Sequence, residues 1–356
     1  MKRLMCALAT ALIAAVVLVG IKAEYGRLLM SEANYGLQAL ISRVAASKKS
    51  GENVEYDLYL GSSMFRQGLD IYELEEMEQE IDRQESAGAG TGTDVRREAY
   101  ILSYNGSQPF LICKEVEYLL EHEVPIASVT VDLFVNSVQK EPWVEDTRLF
   151  LDTDLSFKRE LWQEMKNREG ASLSDLWEML VTANNDKLFS WYADYPLVNR
   201  LFYNGGNLVE NSGASEETLD GQLGSTNRNE SVQYEMNERQ VYYLQRLIDL
   251  CRDNDIAVCF VETPKYKTAV CEQAYVDVMV QYCQFLQDNM VEYYLSEATV
   301  QSLQDNLGIE DAADEVHTIP FDNTNPDYYI DVIHLSSEGR RAFTQAYVDL
   351  KENAER

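Results

Sequence analysis

The chain is predicted to be an α/β protein with a parallel sheet covered by helices on both faces, and three observations carry that expectation. Val54, Tyr56, Leu58 and Leu60 alternate along Val54–Leu60 as a strand does, and the run stops at small residues, Gly61-Ser62-Ser63. Strand-like and helix-like segments then alternate on either side of a long central region of different character, the pattern of βα units. Finally, Asp331-Val332-Ile333-His334 stands just ahead of an amphipathic terminal helix.

The sequence has 356 residues, 46% of them hydrophobic, enough for one large domain or one domain with an insertion. Its 60 Asp and Glu residues against 30 Lys and Arg give a formal net charge of -30. That balance argues against nucleic acid as a partner, because affinity for phosphate backbones comes from Lys and Arg. It also sets up repulsion from anionic lipids and polyanionic wall polymers. Lys2 and Arg3 precede an uncharged run from Leu4 to Ile21, long enough to span a bilayer. The exit, Val19-Gly20-Ile21-Lys22-Ala23, lacks a small-x-small cleavage site. Residues 1–22 are therefore expected to be an uncleaved signal anchor with the body outside the cell, a secreted form being the alternative.

The elements follow in order. Residues 23–50 read as a polar helical stalk with a broken apolar stripe (Leu28, Leu29, Leu37, Leu40, Ile41, Val44). Strand Val54–Leu60 leads to an acidic helix over Ile71–Ile81 and a flexible loop, Ser86–Thr93, rich in Gly and Ala. Strand Ala99–Tyr104 runs into the turn dipeptide Asn105-Gly106, followed by helix Phe110–Glu121 and strand Ile126–Leu133. Residues 138–235 read as an insertion between core parts 51–137 and 236–356. Its helical stretches carry Trp162, Trp177 and Trp191, one opened by Ser172 with Asp175 in a capping-box arrangement, and a polar segment from Asn204 to about Glu230 is expected to be mobile. The core resumes with helix Glu238–Asp253, strand Ile256–Glu262, a long helix from about Tyr266 to Asn289, a shorter one near Ser296–Leu307, a strand near Val316–Ile319, and the terminal helix from Ser336-Ser337.

The chemistry concentrates in few residues. An Asp three positions before a His lets carboxylate and imidazole meet within one turn, and a Ser at the tip of the first strand sits where open α/β sheets keep reactive groups. Ser63, Asp331 and His334 thus form a candidate Ser-His-Asp set in the chain order Ser, Asp, His. A lone Gly-Ser-Ser is better explained as a small residue in a strand-to-helix turn or a helix N-cap; the Asp331-x-x-His334 partner is what favours chemistry. His122, at a helix C-terminus, and His317, in a short strand, read as structural. Arg66, one turn beyond Ser63, and Glu262-Thr263, ending a strand on the same sheet edge, are candidates for substrate contact. Cys113 and Cys259 read as core residues, no two cysteines have CxxC spacing, and no glycine-rich phosphate loop or metal-ligand cluster is present, so neither metal nor cofactor is expected.

These blocks resemble the SGNH/GDSL hydrolase superfamily, specifically its membrane-anchored bacterial envelope branch, known for polysaccharide O-acetylation and for teichoic-acid D-alanine transfer. The first block is Gly61-Ser62-Ser63, with Ser63 as nucleophile and Ser62 where many members have Asp. The second is Tyr104-Asn105-Gly106, and the last is Asp331-Val332-Ile333-His334-Leu335 with Ser336-Ser337-Glu338-Gly339. The resemblance spans about residues 54–350 without the insertion, and it lacks the Gly-x-Asn-Asp block: the third strand ends Val131-Asp132-Leu133-Phe134. It implies a flavodoxin-like αβα sandwich and an oxyanion hole formed by the N–H groups of Ser63 and Gly106 with Asn105 or Asn136. It further implies acyl transfer or hydrolysis on a cell-envelope polysaccharide and a multispanning membrane acyltransferase as donor partner. A non-catalytic domain that binds glycan or scaffolds an envelope complex is the alternative.

Overall fold

Six strands form one all-parallel sheet in the computed structural model: β1 (Asn53–Gly61), β2 (Val95–Ser103), β3 (Ile126–Asp132), β6 (Ala257–Val261), β7 (Glu292–Ser296) and β8 (His317–Ile319). A separate two-stranded hairpin pairs β4 (Tyr203–Asn204) with β5 (Asn207–Leu208). The structure describes residues 6–14, 17, 36–77, 95–146, 149, 152–167, 170–174, 203–204, 207–208, 210–226, 235–268, 273–307 and 316–355. The sheet order is β2-β1-β3-β6-β7-β8. The chain therefore steps from β1 outward to β2, then returns past β1 to β3 and continues in the other direction. That reversal places the topological switch point between β1 and β3, where open α/β sheets hold ligands at their carboxyl ends.

The strands alternate faces, so each contributes to two cores. Tyr56, Leu58, Leu60, Leu102, Val129, Val131, Phe260 and Leu295 face one cluster, with Leu111, Val116 and Leu119 of helix Pro109–Glu121 and Leu244 and Leu247 of helix Glu238–Asp253. Tyr59, Ile101, Cys259, Val261, Tyr294 and Ile319 face the other, with Phe65 and with Phe343 and Tyr347 of helix Ser337–Glu355. Parallel sheets need this double cover because both faces are apolar.

Several expectations shift. Helix Leu37–Ser50 is no free stalk: Leu37, Leu40 and Val44 are buried in the first core, each worth about 2 kcal/mol of burial. Asp152 caps it from a distance, its Oδ2 accepting from Leu37 N–H (2.5 Å) and its Oδ1 from Gln38 N–H (2.9 Å). Tyr104 O–H donates to the same Oδ2 (2.5 Å), tying the cap to the end of β2. The helix expected over about Tyr266 to Asn289 is a 3-10 turn at Tyr266–Thr268 and a helix at Gln273–Asp288, and β7 follows it in a stretch to which the sequence assigns no element. The polar segment expected to be mobile contains helix Glu216–Thr226, with Leu219 fully buried in the second core. The acidic helix is described over residues 71–77, and its remainder, the Ser86–Thr93 loop, Cys271, Trp177 and Trp191 lie outside the described residues. So does most of the expected anchor; among the described residues no helix is long and apolar enough to cross a membrane, while Leu8, Leu12 and Ile13 are exposed on the helical stretch 6–14.

Replacing Asp152 by Ala strips the cap of the 37–50 helix and the Tyr104 acceptor together. We expect a loss of about 3 kcal/mol in urea unfolding, whereas an unchanged midpoint would show that the helix holds without it.

Candidate active site

The site grows from the end of β1. Gly61 is its last residue, and a Cβ there would collide with Cβ of Asp132 and of Phe65, so only glycine lets the strand turn at this point. Ser62 caps the short helix Ser63–Gly68, its Oγ accepting from Met64 N–H (3.3 Å). The flanking strand tips hold Ser62 from both sides. Asp132, the last residue of β3, accepts from Ser62 Oγ–H (2.6 Å) and N–H (3.3 Å) on one carboxylate oxygen. Ser103, the last residue of β2 and in register with Gly61, donates its hydroxyl to the Ser62 carbonyl. Burial pushes the Asp132 carboxyl up to about 6, although the Ser62 bonds act to lower it.

With Ser62 fixed, half-buried Ser63 meets the loop that precedes the terminal helix. Ser63 Oγ and His334 Nε2 are 2.9 Å apart, and His334 Nδ1 and Asp331 Oδ2 are 2.8 Å apart. The network fits Nδ1–H donating to Asp331 and Ser63 O–H donating to Nε2. The second oxygen of Asp331 accepts from the N–H groups of Ile333 (2.9 Å) and His334 (2.8 Å), so the carboxylate cannot swing away from the ring. Burial raises the Asp331 carboxyl, but the hydrogen bond and charge of His334 and the two N–H donors outweigh it, holding the group below the usual carboxylate range. Gly339 lets this loop lie flush against the terminal helix; a Cβ there would strike the Tyr328 carbonyl.

On the β2 side, Gly106 has φ 64 and sits third in a turn closed by Ser107 N–H donating to the Tyr104 carbonyl (3.2 Å). Asn105 N–H donates to Asp146 Oδ2 (3.0 Å), so this backbone group is already engaged. The Asn105 side chain accepts at Oδ1 from Arg66 (2.6 Å), which turns its amide N–H groups the other way. Buried Arg66 also donates to the Ser103 carbonyl (3.3 Å), bridging the Ser63 helix and the Asn105 turn. Asn136 lies in the short helix Val135–Gln139 beyond β3, on the opposite side of the switch point from Asn105 and Gly106.

Glu262 and Thr263 are each 1% exposed. Glu262 accepts from Ser296 N–H (3.1 Å), Ser296 Oγ–H (2.9 Å) and Thr299 Oγ1–H (2.8 Å), and pairs with buried Lys265 (3.2 Å). Thr263 packs under Gly68, where a Cβ would meet its methyl group. Of the other histidines, His122 contacts the Tyr118 carbonyl through Nδ1 (2.8 Å), and His317 stacks on Tyr294 and lies 3.2 Å from Glu292. Cys113, Cys251, Cys259 and Cys283 are buried and free. Among the described residues no group of His, Cys, Asp and Glu is arranged to hold a metal ion.

Sequence reasoning missed Asp132, Ser103 and Asp146 as supports. The one signal was an Asp closing an otherwise apolar strand, Val129–Asp132. Neither the protein-family models nor the curated proteins compared with this chain match it.

Asp132 gives the site a pH signature. Its folded value of about 6 lies above the ordinary 3.8, so the folded state holds this proton more tightly than the unfolded chain. The stabilisation is full below about pH 4 and is lost as pH rises to about 6, a change of about 3 kcal/mol. Asp132→Asn keeps an oxygen for Ser62 and removes the titration. The stability difference between native protein and variant, measured by urea unfolding from pH 4 to 7, should move in the variant's favour as pH rises; a difference independent of pH would contradict this.

Proposed function

We propose that this protein is an extracytoplasmic serine acyltransferase or esterase of SGNH type, acting on O-acyl groups, acetyl foremost, of a cell-envelope glycan. The observation that carries the reading is the continuous relay Ser63–His334–Asp331, with contacts of 2.9 and 2.8 Å, at the switch point of a doubly wound sheet. A serine hydroxyl is a poor nucleophile at neutral pH and needs a base in contact.

In this mechanism His334 Nε2 takes the Ser63 proton as Oγ bonds to the acyl carbonyl carbon, and Asp331 stabilises the imidazolium and fixes its tautomer. The oxyanion meets the N–H groups of Ser63 and Gly106 and the outward amide of Asn105, which Arg66 orients. Each such donor is worth about 3 kcal/mol in the transition state. Collapse breaks the ester bond, and His334 returns the proton to the departing alkoxide, leaving acyl-Ser63. His334 then deprotonates a water or a glycan hydroxyl, which takes the acyl group and restores Ser63. Water as acceptor makes the enzyme an esterase, and a sugar hydroxyl makes it a transferase. The apolar, uncharged N-terminal run supports tethering near a membrane-borne acyl donor, here a multispanning acyltransferase.

Turnover of 4-nitrophenyl acetate tests the reading. Ser63→Ala and His334→Ala should each lower it about 1,000-fold or more with thermal melting nearly unchanged. Turnover retained in Ser63→Ala would overturn the mechanism, and a folded wild-type protein that binds glycan without turnover would favour the scaffold reading.

A further inference from the structure

The insertion between β3 and β6 returns to the catalytic loop. Residues 211–222 lie against the backbone of residues 327–337, the loop that contains Asp331 and His334. Ala214 N–H donates to the Tyr329 carbonyl (2.6 Å). Asn211 and Ser337 exchange hydrogen bonds: Asn211 N–H donates to Ser337 Oγ (2.8 Å), and Ser337 N–H donates to Asn211 Oδ1 (2.9 Å). Gly213 is pressed against Asp327, its hypothetical Cβ lying 2.5 Å from the carbonyl oxygen, so a side chain there would lift the segment off the loop.

The most telling contact falls inside the Asp-x-x-His turn itself. Val332 N–H donates to Gln222 Oε1 (3.2 Å), while the Val332 carbonyl accepts from Tyr266 N–H (3.0 Å). Both polar groups of the residue after Asp331 are thus held from outside the turn, one by the insertion and one by the β6 loop. Beneath them Leu219 is fully buried in the same apolar cluster as Val332, Leu335 and Tyr329. Lys267 pairs with Glu216 (3.1 Å) and Asp220 (2.8 Å), bracing the insertion helix from the side of that same β6 loop.

We infer that the insertion is part of the catalytic apparatus, with Gln222 a positioning residue that sets the Asp331–His334 turn at hydrogen-bonding distance from Ser63. The inference rests on the reading of Ser63, His334 and Asp331 as the reacting relay. Gln222 touches none of these side chains through the contacts above; it acts on the peptide between them. A general base displaced by about 1 Å loses rate rather than binding, so the effect belongs in kcat.

Three variants separate positioning from packing. Gln222→Met keeps volume and removes the acceptor, Gln222→Glu keeps an oxygen for Val332 N–H, and Gly213→Ala pushes the segment from the opposite end. The readouts are kcat and KM with 4-nitrophenyl acetate, the melting temperature, and the low-field proton resonance of His334 Nδ1–H. Gln222→Met and Gly213→Ala should lower kcat about tenfold or more with KM within threefold, and should weaken the resonance; Gln222→Glu should restore both. Wild-type kcat and an unchanged resonance in Gln222→Met and Gly213→Ala would overturn the inference. So would a loss in Gln222→Met that Gln222→Glu fails to restore. Ser63→Ala run alongside keeps the failures apart: if it retains turnover the catalytic reading is wrong, and the resonance alone then decides whether the insertion fixes the turn.

Discussion

Ser62 is the residue on which the rest of this sheet edge depends. It stands between the tips of β2 and β3, held by the Ser103 hydroxyl on its carbonyl and by the Asp132 carboxylate on its N–H and Oγ–H. Because Ser62 also caps the helix that begins with Ser63, those contacts fix the direction in which the Ser63 hydroxyl leaves the sheet. The arrangement is compatible only with glycine at position 61, where the chain passes so close to Asp132 and Phe65 that no Cβ fits. A serine hydroxyl anchored to strand tips, rather than to a free loop, keeps its geometry without help from a ligand.

The second half of the site is built by a different device. Asp331 and His334 sit on a loop, yet that loop is held by internal bonds and by two neighbours outside it. Asp331 Oδ1 closes the turn on two N–H groups, Ile330 N–H donates to the His334 carbonyl, and Tyr266 and Gln222 hold the peptide of Val332. Buried Arg340, paired with Asp70 at 3.4 Å, joins the terminal helix to the segment after the Ser63 helix. Two ends of the chain separated by about 270 positions are thereby clamped on both sides of the Ser63–His334 contact. Such long-range closure has an entropic cost that only a large buried core offsets.

The sequence made the main elements legible where periodicity was strong. Val54–Leu60, Ala99–Tyr104, Ile126–Leu133 and Glu238–Asp253 all correspond to observed elements to within four residues at their ends, the last of them at both ends without difference. Legibility failed where short-range signals were weak. β7 follows a helix that ends without Gly or Pro, the chain turning instead at Met290 with φ 52, and its five residues are too short a run to stand out as a strand. Helix Glu216–Thr226 has too few apolar residues to announce itself and is placed by Leu219 and by hydrogen bonds to a loop more than a hundred residues away. Helix Leu37–Ser50 looked like a stalk because its cap, Asp152, lies far along the chain. In the site, Ser63, Asp331 and His334 were visible as local motifs; for Glu262, strand-end position indicated the sheet edge but not that Ser296, Thr299 and Lys265 would surround its carboxylate.

The central claim is that Ser63 is made nucleophilic by His334. The most direct measurement is modification by a fluorophosphonate, mapped by peptide mass spectrometry, in the native protein and in His334→Ala. The account expects one adduct, on Ser63, that forms in the native protein and is lost in the variant while both remain folded. An adduct that forms equally fast without His334, or that maps to another residue while Ser63 stays unmodified, would contradict it.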